Sequence, residues 1–219
     1  MPVVHLVRHG QASFGAADYD VLSETGRAQA RLLGRELLRR TPRNPLLVSG
    51  ALRRQRDTAR LLAATAGIAA EPITDPRWDE YDHLNLINRY GPPPAAVNDP
   101  PPTSDDVQAL LDRALTAWIE ENADDGWRHF TGGVLAAFRE LTARLDPGRD
   151  AVVVTSGGVI AALCGHLLDA GTAGIVALNR VTVNCGLTTV TLGRSGASLV
   201  AFNDHAHFSG AERALRTTR

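Results

Sequence analysis

The sequence predicts an α/β fold: a three-layer sandwich with a mostly parallel central sheet, helices on both faces and a helical insertion. Three observations lead there. Short β-branched runs alternate with longer amphipathic stretches, as in βαβ units. The runs Val3–Val7 and Ala151–Thr155 are almost continuously apolar, as strands covered on both faces are. Most of the runs stop abruptly at a polar, Gly-containing cluster. A length of 219 residues with 44% hydrophobic content suits one domain over residues 1–219.

Taken in order, Val3–Val7 is the first strand and ends at Arg8-His9-Gly10. Ser23 to Arg40 is a helix with Ala30, Leu33 and Leu37 on one face, stopped by Thr41-Pro42. Leu46–Val48 is a short strand. Ala51 to Ala66 is a helix with Gly67 as its C-terminal cap. Ala70–Thr74 reads as a third strand. Ala151–Thr155 is the clearest strand, and the apolar stretch Gly157–Leu168 is a helix. Leu187–Leu192 and Ser198–Phe202 form a hairpin around Arg194-Ser195-Gly196. The middle breaks the rhythm. Pro92-Pro93-Pro94 and Pro100-Pro101-Pro102 bracket a loop, followed by helical stretches at about Asp105–Glu121 and Phe130–Arg144. Residues 84 to 145 are therefore read as a helical insertion on the core, with the proline loops as a lid over a pocket.

Composition removes several kinds of chemistry. The net charge is −1, which offers no footprint for nucleic acid or a membrane surface. All 23 basic residues are Arg, in keeping with a GC-rich bacterial gene. Without Lys there is no Schiff base and no phosphate-loop lysine, so phosphate must be held by Arg, His or backbone amides. Cys164 and Cys185 lie in apolar stretches and read as buried thiols in a reducing compartment. The N-terminus carries no signal-peptide pattern, and a cytoplasmic location is expected. No metal is expected. His5 and His9 sit roughly 13 Å apart along an extended strand, and His205-Ala206-His207 lacks a third ligand. His83, His129 and His166 carry no motif and read as surface or partly buried residues. No cofactor is indicated, and the sequence does not define an oligomeric state.

Four polar clusters follow strand-like runs: Arg8-His9-Gly10, Ser49-Gly50 leading into Arg53-Arg54, Asp79-Glu80, and Thr155-Ser156-Gly157-Gly158. The carboxyl ends of strands in an open parallel sheet share one edge, where ligands bind. Convergence there would assemble guanidinium groups, an imidazole, a carboxylate, a hydroxyl and a helix N-terminus. That set suits a phosphate ester. On composition alone, Arg54 among Arg53, Arg56 and Arg60 could be a solvated helix face. Glu80 cannot be told apart from Asp79 and Asp82 in the same way. Ser156 could simply cap a helix.

Leu6-Val7-Arg8-His9-Gly10-Gln11 resembles the signature of the histidine phosphatase superfamily, which includes phosphoglycerate mutases and many small-molecule phosphatases. Three further segments resemble the family in the same order. They are Leu22–Ala30, Ser49–Ala59 and Asp75–Glu80. The resemblance implies a ping-pong reaction on a small phosphorylated metabolite. His9 is the nucleophile, Arg8 and Arg54 bind the phosphoryl oxygens, and Glu80 is the proton donor. Ser156 stands where the family usually has a second His, and is expected to bind phosphate less strongly than an imidazolium. Losing one charge-assisted hydrogen bond costs about 1.5–3 kcal/mol, roughly a 10- to 100-fold slower reaction. Hydrolysis is preferred to mutase chemistry because the residues after the first motif, Ala12–Asp20, lack the Trp-Asn pair found in bisphosphoglycerate-dependent mutases. Mutase-type transfer, and a phospho-ligand binding protein impaired by Ser156, stand as alternatives. His205 is a candidate replacement for the missing histidine, provided Leu187–Leu192 runs antiparallel to the other strands.

Overall fold

The structure is a computed structural model that describes residues 1–13, 20–91 and 103–218. The proline runs and residues 14–19 lie outside the described residues, so the lid expectation and most of the Ala12–Asp20 comparison fall there too. Six strands form one sheet: β1 (Val3–Arg8), β2 (Leu46–Ser49), β3 (Ile73–Thr74), β4 (Ala151–Thr155), β5 (Leu187–Gly193) and β6 (Gly196–Asp204). Their order is β3-β2-β4-β1-β5-β6. β4 pairs in parallel with both β1 and β2, and β2 in parallel with β3. β5 is antiparallel to β1 and β6, which makes β6 parallel to the rest. The expected third strand shrinks to two residues, because only Ile73 and Thr74 reach β2 at the exposed sheet edge.

The apolar strands still alternate. Val152 and Val154 face one side with Val7 and Leu47. Against them pack α1 (Glu24–Arg40) and α2 (Arg53–Ala66). Ala151 and Val153 face the other side with Val4, Leu6, Leu46 and Val48, under α5 (Trp127–Ala143) and α6 (Gly157–Leu167). Burial on both faces explains why the alternation is invisible as polarity in the sequence. Ser23 caps α1, its side chain accepting the Gly26 N–H, and Gly67 closes α2 in the left-handed region at φ 69°.

The stretch read as a single insertion divides in two. α5 lies directly on the sheet through Val134, Ala137, Phe138 and Leu141. α3 (His83–Tyr90) and α4 (Ser104–Glu121) pack farther out, with α7 (Thr172–Val181), around Leu86, Leu115, Trp118 and Val176. α7 is absent from the sequence reading. Its residues 172–181 follow closely on the apolar run of α6, so no contrast in polarity marks it off.

At the sheet edge remote from the strand carboxyl ends, Asp150 joins three segments. Its carboxylate accepts from Val3 N (2.9 Å), Arg43 N (2.8 Å) and the Arg43 guanidinium (2.8 Å). Burial raises its pKa, but the Arg43 bonds and the Val3 amide outweigh this, and the carboxyl is held below its ordinary value. Asp150→Ala should therefore lower unfolding free energy by about 2–4 kcal/mol in urea titrations at pH 7. The contribution is complete above the ordinary carboxylate pKa and disappears as pH falls through the depressed folded value. The gap between wild type and variant should accordingly narrow in acid.

Candidate active site

Parallel pairing brings the polar clusters level with one another. The register sets Arg8 beside Thr155 and Ser49 beside both Val154 and Thr74. Past the strand ends the backbone bonds continue: His9 N donates to Thr155 O (2.8 Å), Gly50 N to Val154 O (3.1 Å) and Asp75 N to Ser49 O (2.9 Å). Arg8, His9, Arg54 and Glu80 line a single cavity at this edge.

His9 is buried. Its Nδ1 lies 2.8 Å from Gly10 O, and because a carbonyl only accepts, Nδ1 must carry the proton. Nε2 then has a free pair, which accepts from Arg54 Nε at 3.1 Å. Burial, Arg54 and Arg8 together pull the His9 pKa well below its ordinary value. The neutral imidazole is thereby favoured, with its unprotonated nitrogen directed towards Arg54. The His9 carbonyl is held in turn by Asn184 Nδ2 (3.1 Å).

Arg54 projects from the first turn of α2, and its Nη1 bonds Asp20 at 2.8 Å. Arg53, one residue away, is half exposed and points to Asp57 instead (3.7 Å). The roughly 100° per residue of a helix separates the two roles. The Arg8 Nη1 donates to the carbonyls of Thr182 and Thr218.

The three neighbouring carboxylates, indistinguishable by composition, separate by geometry. Asp79 accepts from Ala51 N (2.5 Å) and Leu52 N (3.3 Å), fixing the turn into α2. Asp82 caps α3 through Leu84 N and Asn85 N. Glu80 alone of the three lines the cavity, where its Oε2 meets Gly158 N at 3.1 Å. A Cβ on residue 158 would come within 2.3 Å of that carboxylate, so glycine is needed there. Loss of water raises the Glu80 pKa, and this outweighs the Gly158 amide and the two arginines that oppose it.

Ser156, expected at the phosphate, is fully enclosed. Its hydroxyl accepts from Gln55 Nε2 at 2.9 Å, and the same amide nitrogen bonds Trp78 O at 3.0 Å. The cavity wall next to it is formed by Gly157. Ser156 thus binds the side chain that organises the start of α2. His205 follows β6, whose direction meets the condition set for it, but two strand spacings, about 10 Å, separate β6 from β1. Its Nδ1 bonds Asn203 O (2.6 Å), and it does not line the cavity.

His83 does line the cavity, as do Tyr81, Asn179, Arg180 and Asn184, none of which the sequence reading selected. His83 follows Glu80 by three residues, a proximity that could have flagged it. Burial and Arg54 lower its pKa, against a smaller opposing effect of Asp82. Among the described residues no group of three or more His, Cys, Asp or Glu side chains could hold a metal ion, and no helix is long and apolar enough to cross a membrane.

A profile of the histidine phosphatase superfamily (branch 1) matches residues 4–205, and the chain belongs to that family. Among solved structures it is similar to a mycobacterial glucosyl-3-phosphoglycerate phosphatase in complex with VO3. The two share 27% identity over 94% of this chain and 100% of that one, with a TM-score of 0.66. A phosphoglycerate mutase from Bacillus anthracis matches 94% of each chain at 17% identity and TM-score 0.66. A putative α-ribazole-5'-P phosphatase from Escherichia coli matches 93% of this chain and 98% of that one at 18% identity and TM-score 0.63. The last two share the fold. No curated protein matches the chain.

Arg54→Ala should raise the inhibition constant for inorganic phosphate at least 10-fold and slow turnover at least 100-fold, as expected for losing a charged bond to the transition state. Arg53→Ala should change either by less than threefold. Similar losses in both would show that the two arginines share the phosphate.

Proposed function

We propose that the protein is a phosphatase that hydrolyses a small phosphorylated metabolite, a phosphate monoester, through a phosphohistidine on His9. One observation carries the reading: the His9 Nδ1 proton is committed to Gly10 O, which leaves Nε2 as a neutral nucleophile beside Arg54 and in the same cavity as Glu80. The substrate phosphoryl group displaces Nε2 as the partner of Arg54 Nε, and Arg8 binds a second oxygen. Nε2 attacks phosphorus and the P–O ester bond breaks. Glu80, whose protonated form is favoured by burial, gives its proton to the leaving oxygen. Gly10 O supports the charge on the imidazole through Nδ1–H. In the second half Glu80, now ionised, takes a proton from water. The oxygen of that water attacks phosphorus, the P–N bond breaks, and inorganic phosphate leaves. Ser156 contributes through Gln55, which it holds at the start of the Arg54 helix.

The 27% identity with a phosphatase over 94% of the chain supports hydrolysis over mutase transfer. The buried free thiols of Cys164 and Cys185 fit a reducing, cytoplasmic setting.

Two measurements test the reading. After a quench with labelled substrate, wild type should carry an acid-labile phosphate and His9→Ala should carry none; label on the variant would overturn the assignment. The pH profile of kcat/KM tests Glu80. Activity requires neutral His9 and protonated Glu80. It should fall in acid as pH drops through the depressed His9 pKa, and fall again as pH rises through the raised Glu80 pKa. Glu80→Gln should abolish the second limb and slow alkyl phosphates by about 10²–10⁴-fold. The loss should be smaller for p-nitrophenyl phosphate, whose leaving group needs no proton.

A further inference from the structure

The outer half of the catalytic cavity contains a polar arrangement that the phosphoryl chemistry does not use. Arg180, from α7, and Gln108, from α4, both line the cavity. One carboxylate, Asp112 on α4, orients both. Its Oδ2 accepts from Arg180 Nε (2.7 Å) and Nη2 (2.6 Å), while its Oδ1 accepts from Gln108 Nε2 (2.8 Å). The Asp112 side chain is 13% exposed, against 53% for Arg180. The carboxylate is therefore the more enclosed, anchoring partner and the guanidinium is the group presented outwards. Arg180 spends its Nε–Nη2 edge on Asp112, so the Nη1 side remains for the cavity. Beside it the α4 wall is apolar, with Val107 and Leu111.

We propose that Arg180 is a specificity-determining residue that donates through Nη1 to an oxygen of the leaving group, with Asp112 as its positioning residue. The substrate class that follows is a phosphate monoester of an oxygenated alkyl alcohol, a polyol, sugar or hydroxy acid, rather than an aryl or plain alkyl phosphate. Asp112 already balances the Arg180 charge. The subsite therefore needs an acceptor oxygen but not a second anion. Val107 and Leu111 cover the carbon skeleton of the same group. This inference rests on the proposed phosphatase reading, because it takes the phosphoryl end of the substrate to lie at Arg8, His9 and Arg54.

The test compares matched esters that differ in one oxygenated group: propyl phosphate, glycerol 3-phosphate and 3-phosphoglycerate. Wild type should favour the two oxygenated esters over propyl phosphate at least 10-fold in kcat/KM. Arg180→Leu should reduce that ratio at least 10-fold, and Asp112→Asn should reduce it in the same direction through KM more than kcat. Comparing glycerol 3-phosphate with 3-phosphoglycerate identifies the acceptor as hydroxyl or carboxylate. Circular dichroism and the inhibition constant for inorganic phosphate report whether each variant keeps its fold and phosphoryl site; if Arg180→Leu fails to fold, Arg180→Gln replaces it. A ratio that stays within twofold of wild type in the folded variant overturns the inference and leaves the phosphatase reading intact. If wild type hydrolyses no ester, the phosphatase reading falls instead. The same ratio is then read from equilibrium affinities, and equal affinities for the three esters would overturn the subsite as well.

Discussion

The parallel pairing of β4 with both β1 and β2 is the constraint on which the site depends. Each pairing brings two carboxyl ends to the same edge, and the register brings them to the same height. A shift of one residue would turn His9 from the cavity to the other face, because side chains alternate along a strand. The apolar cores on both sides of the sheet prevent that shift. Val152 and Val154 pack under α1 and α2, and Val153 under α5 and α6, so any slip would exchange two closely packed sets.

Around that edge the protein spends polar contacts on orientation. The His9 ring is fixed at one nitrogen by Gly10 and met at the other by Arg54, which Asp20 holds from behind. Asp79 and Gln55 settle the turn from which Arg54 projects. A buried, water-poor setting makes these contacts stronger than they would be at the surface. It also shifts the titration of His9 and Glu80 in opposite directions. The same burial pushes the His9 pKa down and the Glu80 pKa up, since each side chain is favoured in its neutral form. One environment thus favours the uncharged form of both side chains.

The outer wall follows a different logic. α3, α4 and α7 share a separate core with the start of α5, built on Leu115, Trp118, Trp127 and Val176, with Tyr81 and Phe130 packed against it. Tyr81 adjoins Glu80 in sequence and packs at a tilt against Trp118, 5.4 Å between ring centroids. Glu80 and the outer wall are thereby joined through the Tyr81 ring, which also meets Phe130 edge-on at 5.7 Å.

Much of this was legible before any coordinates. Strands show as apolar, often β-branched runs because such residues fill a sheet covered on both faces, and His9, Arg8, Arg54 and Glu80 stand out because they lie at the ends of those runs or in a resembling segment. Their convergence in one cavity follows from sheet topology. The local signals failed where the outcome depended on distant partners. Ser156 faces Gln55, 101 residues away, so its role could not be read from its neighbours. β6 runs in the direction that His205 required, yet the intervening β5 keeps it away from β1. α7 merged with the apolar run before it, and with it Asn179 and Arg180 went unseen. The sequence by itself determined which residues are candidates for phosphoryl chemistry, because candidacy depends on residue type and on position at a strand end or in a resembling segment. Only the tertiary structure decided which of them meet, because that depends on the order and direction of strands and on helices packed from elsewhere in the chain.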